Sequence, residues 1–167
     1  SRKFSLRAEI TSFIPPQENV EILYVRITNT SACEQSVRNI AAVPVYGRSA
    51  DNIRDHRNVT SMLHRIHTTE YGVLVKPTMS FDEKGHRENQ RIYYVSGTGG
   101  KGERPEGFYP TWESFLGEGG TFLHPRAVYE NLPCSAPGTN AAGREAMGGI
   151  RFQKAILRPG EIGRAHV

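Results

Sequence analysis

The chain lacks any run of about 18 apolar residues, and no charged-then-apolar leader opens it. The expectation is therefore no membrane span, no signal peptide and a cytoplasmic setting. It has only two cysteines, Cys33 and Cys134, far apart and without CxxC spacing. That excludes a disulfide framework and a cysteine zinc site, and favours free thiols in a reducing cytosol over a pair. The net charge is +4, yet the basic residues are scattered and form no Lys/Arg run. A nucleic-acid partner is not expected from so diffuse a charge. No internal repeat is present. What is abundant is punctuation: 17 glycines and 10 prolines in 167 residues. With 37% apolar content, that describes one ordered domain of strands joined by turns rather than a helical bundle.

Periodicity places the strands. Phe4 to Phe13 alternates, with Phe4, Leu6, Ala8 and Ile10 on one face, which reads as a half-buried strand ended by Pro15-Pro16. Val20 to Thr28 is apolar on both faces, as a central strand between two layers would be. Val37 to Tyr46 reads as a third strand, and Gly47 to Thr60 as a long polar loop. Met62 to Thr68 and Gly72 to Met79 form a hairpin through Thr69-Glu70-Tyr71. Asp82-Glu83-Lys84-Gly85 has the residues of a type I turn. Arg91 to Ser96 and Gly149 to Leu157 are further strands, and Ile162 to Val167 starts another. Residues 97–148 read as a long irregular insertion, relieved by one short helix from Thr111 to Leu116 with Thr111 as N-cap. Short strands at close spacing predict an all-β, antiparallel sandwich occupying residues 1–167 as a domain or part of one.

Candidate chemistry is sparse. Gly97-Thr98-Gly99-Gly100-Lys101-Gly102 matches GxGxxG, but Glu103-Arg104-Pro105 follows where a phosphate-binding helix should open, so a flexible loop is the better reading. His64 and His67 sit three apart on a strand and therefore point to opposite faces, which argues against a metal pair. Among Glu103, Glu106, Glu113 and Glu118 nothing singles out an acid–base pair, so no catalytic residue is assigned and no cofactor is implied. Asn29-Thr30-Ser31 and Asn58-Val59-Thr60 match the glycosylation sequon, a pattern common by chance. Two groups remain. Asp55, His56 and Arg57 lie in the polar loop and suit sugar hydroxyls or phosphate. Phe108, Tyr109 and Trp112 open an aromatic-rich stretch, Gly107 to Asn131, whose rings either pack inside the domain or wait for something outside it.

The run FSLRAEITSFIPPQENVEILYVRITNTS over residues 4–31 carries a resemblance, with Pro15-Pro16, Glu18 and Ile27-Thr28-Asn29-Thr30-Ser31 as its marks. So do Phe81-Asp82-Glu83-Lys84-Gly85-His86 with Asn89, then Phe115-Leu116-Gly117, Gly119-Gly120 and Pro125, and the closing Leu157-Arg158-Pro159-Gly160-Glu161. In this order they resemble the N-terminal sandwich of the inverting β-glucoside phosphorylases, such as cellobiose phosphorylase, from about residue 4 to residue 163. Arg54-Asp55-His56-Arg57-Asn58, Leu63-His64-Arg65-Ile66 and Thr69-Glu70-Tyr71-Gly72 look more like the members acting on β-1,2-linked oligoglucans. The resemblance implies an antiparallel β-supersandwich of the galactose-mutarotase type. It implies a parent glycosyltransferase with a catalytic (α/α)6 barrel on the same polypeptide, oligosaccharide and inorganic phosphate as substrates, and a homodimer. The sandwich would lend loops to the dimer and the active-site rim, with Asp55, His56, Arg57, Phe108, Tyr109 and Trp112 as rim candidates, and would not be catalytic alone. A stand-alone sugar-binding sandwich is the alternative. An aldose epimerase, which shares the supersandwich, fits less well, because His64 and His67 adjoin one strand rather than facing strands.

Overall fold

The structure, a computed structural model, describes residues 5–47, 57–82 and 85–167. Strands make up 49% and helix 8% of it, which settles the all-β class. Its centre is β13 (Ala146–Arg151), buried along its whole length. β13 lies between β11 (Gly107–Thr111) and β4 (Ile40–Val45) in one antiparallel sheet. Opposite stands a second antiparallel sheet in the order β12 (Asn140–Ala142), β5 (His64–Thr68), β6 (Gly72–Pro77), β9 (Tyr93–Ser96). The two-residue period of a strand decides what faces what. Phe108, Ala146 and Ile150 point into the space between the sheets and meet Ile66, Val73 and Val75. Tyr109 and Met147 point the other way and pack under Phe115 and Ala127.

Gly148 makes the sandwich close. A Cβ there would lie 2.5 Å from both Cβ and Cγ2 of Val95, so only a residue without one lets β9 approach β13 this closely. A third sheet runs β1 (Leu6–Phe13), β2 (Ile22–Asn29), β15 (Ile162–His166), β10 (Thr98–Gly99). Its β15 feeds Ala165 into the sandwich core. Two ribbons complete the architecture: β3 (Gln35–Val37) with β14 (Ala155–Leu157), and β7 (Met79–Asp82) with β8 (Gly85–Glu88). The hairpin through Thr69-Glu70-Tyr71 is present as β5–β6, and Ile162 onward is a strand paired with β2. No helix among the described residues is long and apolar enough to cross a membrane.

Several expectations need correction. The strand read as Val37 to Tyr46 is two strands, β3 and β4, and that read as Gly149 to Leu157 is β13 and β14. At Arg38-Asn39 and Phe152-Gln153-Lys154 the chain leaves one sheet for another, and an unbroken apolar pattern does not register such a bend. Residues 97–148, read as irregular, hold β10, β11, β12, the start of β13 and two helices. β11 is buried on both faces, so no alternation marked it. Among the described residues three short helices form instead of one: α1 (Arg57–Met62), α2 (Trp112–Leu116) and α3 (Arg126–Tyr129). Only α2, with Thr111 at its N-cap, was legible. β1 forms where expected, yet its apolar face is not covered: Ile10 is 67% exposed. Asn29, the first sequon residue, is fully buried and donates to the carbonyls of Cys33 and Leu157, both at 2.8 Å, so it is a structural anchor. Both cysteines are free thiols.

Candidate functional site: an exposed aromatic ridge

β11 ends at a Pro110 irregularity in its pairing with β13, and Thr111 turns the chain into α2. Thr111 Oγ1 accepts from Ser114 N–H at 3.1 Å, while Ser114 Oγ accepts from Thr111 N–H at 3.1 Å, a reciprocal capping box. Gly117, with φ of 71°, ends the helix and donates its N–H to the Glu113 carbonyl. The next residues form a tight turn: Thr121 and His124 exchange backbone hydrogen bonds of 3.3 and 3.0 Å. Phe122 and Leu123 are left at its tip. Leu123 is 93% exposed, the most exposed large apolar side chain in the described structure. α3 then braces the turn, because Arg126 holds Glu130 at 2.7 Å and donates to the Glu118 carbonyl at 3.0 Å.

The turn carries its rings against Trp112. Phe122 meets Trp112 edge-on at 4.7 Å between centroids, and Tyr46 meets it from another side at 6.2 Å. His124 stacks flat on Tyr129 at 3.7 Å. Tyr46, Phe122, Leu123, Val128 and Tyr129 are all substantially exposed. Beneath Trp112 lies a small cavity of about 10 Å3, bordered also by Thr60, Ser61, His64 and Glu145. It has room for one water and nothing larger. Around Trp112 the candidate surface is therefore the ridge, with flat and apolar groups offered to solvent, rather than this small cavity.

His64 fixes the floor. Its Nδ1 lies 3.3 Å from the Arg144 carbonyl and its Nε2 3.2 Å from the Tyr46 carbonyl. Burial pushes its pKa below the ordinary 6.5, outweighing the two carbonyls and Glu145, which pull it upward. The ring sits between the Tyr46 and Arg144 carbonyls, and as a neutral imidazole it can donate to only one of them. His67 sits exposed on the other face of β5 and touches the Asn140 side chain at 2.9 Å instead.

The predicted site residues divide. Trp112 is in the ridge, half-buried between Tyr46 and Phe122. Phe108 and Tyr109 are not: both are fully buried, Phe108 in the sandwich core and Tyr109 in the cluster under α2. They correct the expectation that they line a rim, because β11 is covered on both faces. Tyr109 Oη donates to the Leu132 carbonyl at 2.8 Å and accepts from Arg151 Nη1 at 3.2 Å. Asp55 and His56 lie outside the described residues, as does the side chain of Arg57, whose backbone opens α1. The same helix brings Thr60 and Ser61 to the cavity under Trp112.

Of the four glutamates, Glu106 bridges Arg38 at 3.2 Å and Arg151 at 3.0 Å, and Glu113 pairs with Arg144 at 3.0 Å. Glu103 fills the glycine loop. Its carboxylate accepts from the Lys101 N–H at 2.8 Å, and that bond lowers its pKa. The amide that would receive a phosphate oxygen is already satisfied from within the loop. Tyr46, Phe122 and Leu123 went unnoticed as site residues. The signal for the last two was the turn chemistry of Gly119-Gly120-Thr121 and His124-Pro125 around an apolar pair.

A family model described as the glycosyl hydrolase 94 supersandwich domain matches residues 1–161. No curated protein matches the chain. With the antiparallel sheets and the strand content above, that match over nearly the whole length places it: the chain belongs to the glycosyl hydrolase 94 supersandwich domain family.

Proposed function

We propose that this domain is the N-terminal sandwich of an inverting β-glucoside or oligoglucan phosphorylase, where it contributes to the dimer and the active-site rim and is not catalytic alone. Family membership supports the parent enzyme. In that enzyme phosphate attacks the anomeric carbon with inversion and an α-sugar phosphate leaves, while an acid elsewhere in the polypeptide protonates the departing oxygen. The observation that carries the rim reading is the ridge itself. A turn braced by a capping box, a helix C-cap and an ion pair holds Phe122 and Leu123 in water beside Trp112. Exposing that much apolar surface is unfavourable unless something covers it. Trp112 takes the acceptor side of the rim, and the Asp55–Arg57 segment is proposed to reach hydroxyls or phosphate from α1's leading end.

The test is Trp112→Ala in the full-length enzyme. Losing one ring contact removes about 1 kcal/mol or more, so acceptor kcat/KM should drop by several-fold to tenfold. Unchanged kinetic constants would remove Trp112 from the rim. Measurable affinity of the isolated chain for gluco-oligosaccharides would instead favour the stand-alone sugar-binding module.

A further inference from the structure

The third sheet turns one face to the core and the other to solvent. Ala165 of β15 packs in the core, so its neighbours Arg164 and His166 point outward. The ring of Tyr24 stacks on His166 at 5.1 Å between centroids, which puts Tyr24 of β2 on the same outer face. Arg26, two residues further along β2, shares that face. The register sets Arg26 directly opposite Arg164 on one side and opposite Glu9 of β1 on the other. Two guanidinium groups therefore stand side by side on strands whose facing Cβ atoms lie about 4.5–5.5 Å apart.

The pair is not neutralised from within the fold. The Glu9 carboxylate accepts from Arg7 Nη2 at 2.9 Å. Among the described residues no ion pair or side-chain hydrogen bond reaches Arg26 or Arg164, and Arg26 Nε is buried without a partner. A buried donor without an acceptor is costly, and like charges directly opposite destabilise a ladder. An anion lying between the two guanidinium forks would remove both costs. Its approach is open. Arg164 is exposed, and on its far side stands Gly100, where a Cβ would lie 2.8 Å from Arg164 Cβ.

We propose that Arg26 and Arg164 form a phosphate-binding site on the outer face of the third sheet. Each fork offers five N–H donors in a plane and a permanent charge. A carboxylate brings one charge and two oxygens, which a single fork satisfies. A phosphate group brings close to two charges and three acceptor oxygens, enough to engage both forks and to reach Arg26 Nε. The Tyr24–His166 stack borders the site along one row of the sheet, and Thr28 with Ile162 along the other. This inference is independent of the carbohydrate reading and of the ridge at Trp112.

The probes are inorganic phosphate and a monoester, glucose 1-phosphate, each titrated into the 167-residue chain at constant ionic strength and followed by the arginine Nε–H resonances in NMR. The Arg26 and Arg164 signals should shift saturably at millimolar concentration. Tighter binding of the ester identifies a phosphorylated small molecule as the ligand, and equal or weaker binding identifies phosphate itself. Arg164→Gln should weaken binding roughly tenfold. It also removes the like-charge contact, so its thermal midpoint without phosphate should equal or exceed the parent's, which separates lost binding from lost folding. Arg26→Lys keeps the charge without the fork and should weaken binding about fivefold. Lys154→Gln makes the same change of net charge on an exposed side chain elsewhere and should leave binding within about twofold. No saturation by about 20 mM phosphate overturns the proposal. So does an equal loss of binding in Lys154→Gln and Arg164→Gln, or a phosphate shift at other arginines ahead of Arg26 and Arg164.

Discussion

Gly148 offers the sharpest stability test. An alanine methyl there would sit 2.5 to 2.7 Å from three side-chain carbons of Val95. Neither side can retreat easily: Val95 is paired with Val73 in β6, and Gly148 with Val43 in β4. Overpacking of this kind costs about 1–3 kcal/mol. Gly→Ala in an otherwise compatible strand recovers about 0.4–1 kcal/mol through the unfolded chain, so Gly148→Ala should destabilise by a net of up to ~2.6 kcal/mol. Val95→Gly deletes all three atoms in the way, Cβ included, and costs roughly 2–4 kcal/mol by itself. In that background the clash is gone, and Gly148→Ala should become neutral or stabilising. The sign change is the prediction. Urea unfolding of the four proteins of the cycle reads it, with a coupling of ~1–3 kcal/mol and a shift of roughly 2–4 °C in Tm per kcal/mol. Additive effects would mean that the sheets do not meet at Gly148 and Val95 as described.

Tyr109→Phe should cost ~1–2 kcal/mol, because Leu132 and Arg151 each lose a hydrogen-bond partner; calorimetry showing under about 0.5 kcal/mol would deny Tyr109 its buried role. His64 has a folded pKa below 6.5, so below pH 6.5 the unfolded chain binds a proton that the folded chain refuses. Stability from this group is complete above pH 6.5 and falls as the pH drops below 6.5 toward the folded value. His64→Asn should flatten that part of the pH–stability curve, and an unaltered slope would assign it elsewhere. Leu123→Ser should leave the isolated chain within about 0.5 kcal/mol of its original stability, while lowering acceptor kcat/KM of the full-length enzyme in the same direction as Trp112→Ala; unchanged kinetic constants would remove Leu123 from the rim.

The longer strands were legible where one face was solvated or a turn stood between them, whereas the three-residue β12, part-solvated, was missed inside the region read as irregular. The Thr69-Glu70-Tyr71 hairpin, the Thr111 cap and the opposite faces of His64 and His67 followed from period and turn chemistry alone. Two kinds of feature were not legible. Strands buried on both faces, such as β11, carry no alternation, and β3 and β4 share one apolar run because the bend between them falls at Arg38-Asn39. Exposure also does not follow from residue type. Phe108 and Tyr109 went inside, whereas Leu123 came out, because the register of β11 buries its rings and the Thr121–His124 turn holds the leucine at its tip. Trp112 and Phe122 lie in one stretch of sequence, but Tyr46, the other ring against Trp112, is distant in the chain and only the fold joins them.

The parent chemistry is tested most directly by following phosphate in the full-length polypeptide that carries this domain. Incubated with β-linked gluco-oligosaccharides and inorganic phosphate, it should release an α-configured sugar 1-phosphate, visible by phosphorus NMR, and the 167-residue domain alone should release none. A β-configured product, or no consumption of phosphate, would contradict the reading of this domain as the sandwich of an inverting phosphorylase.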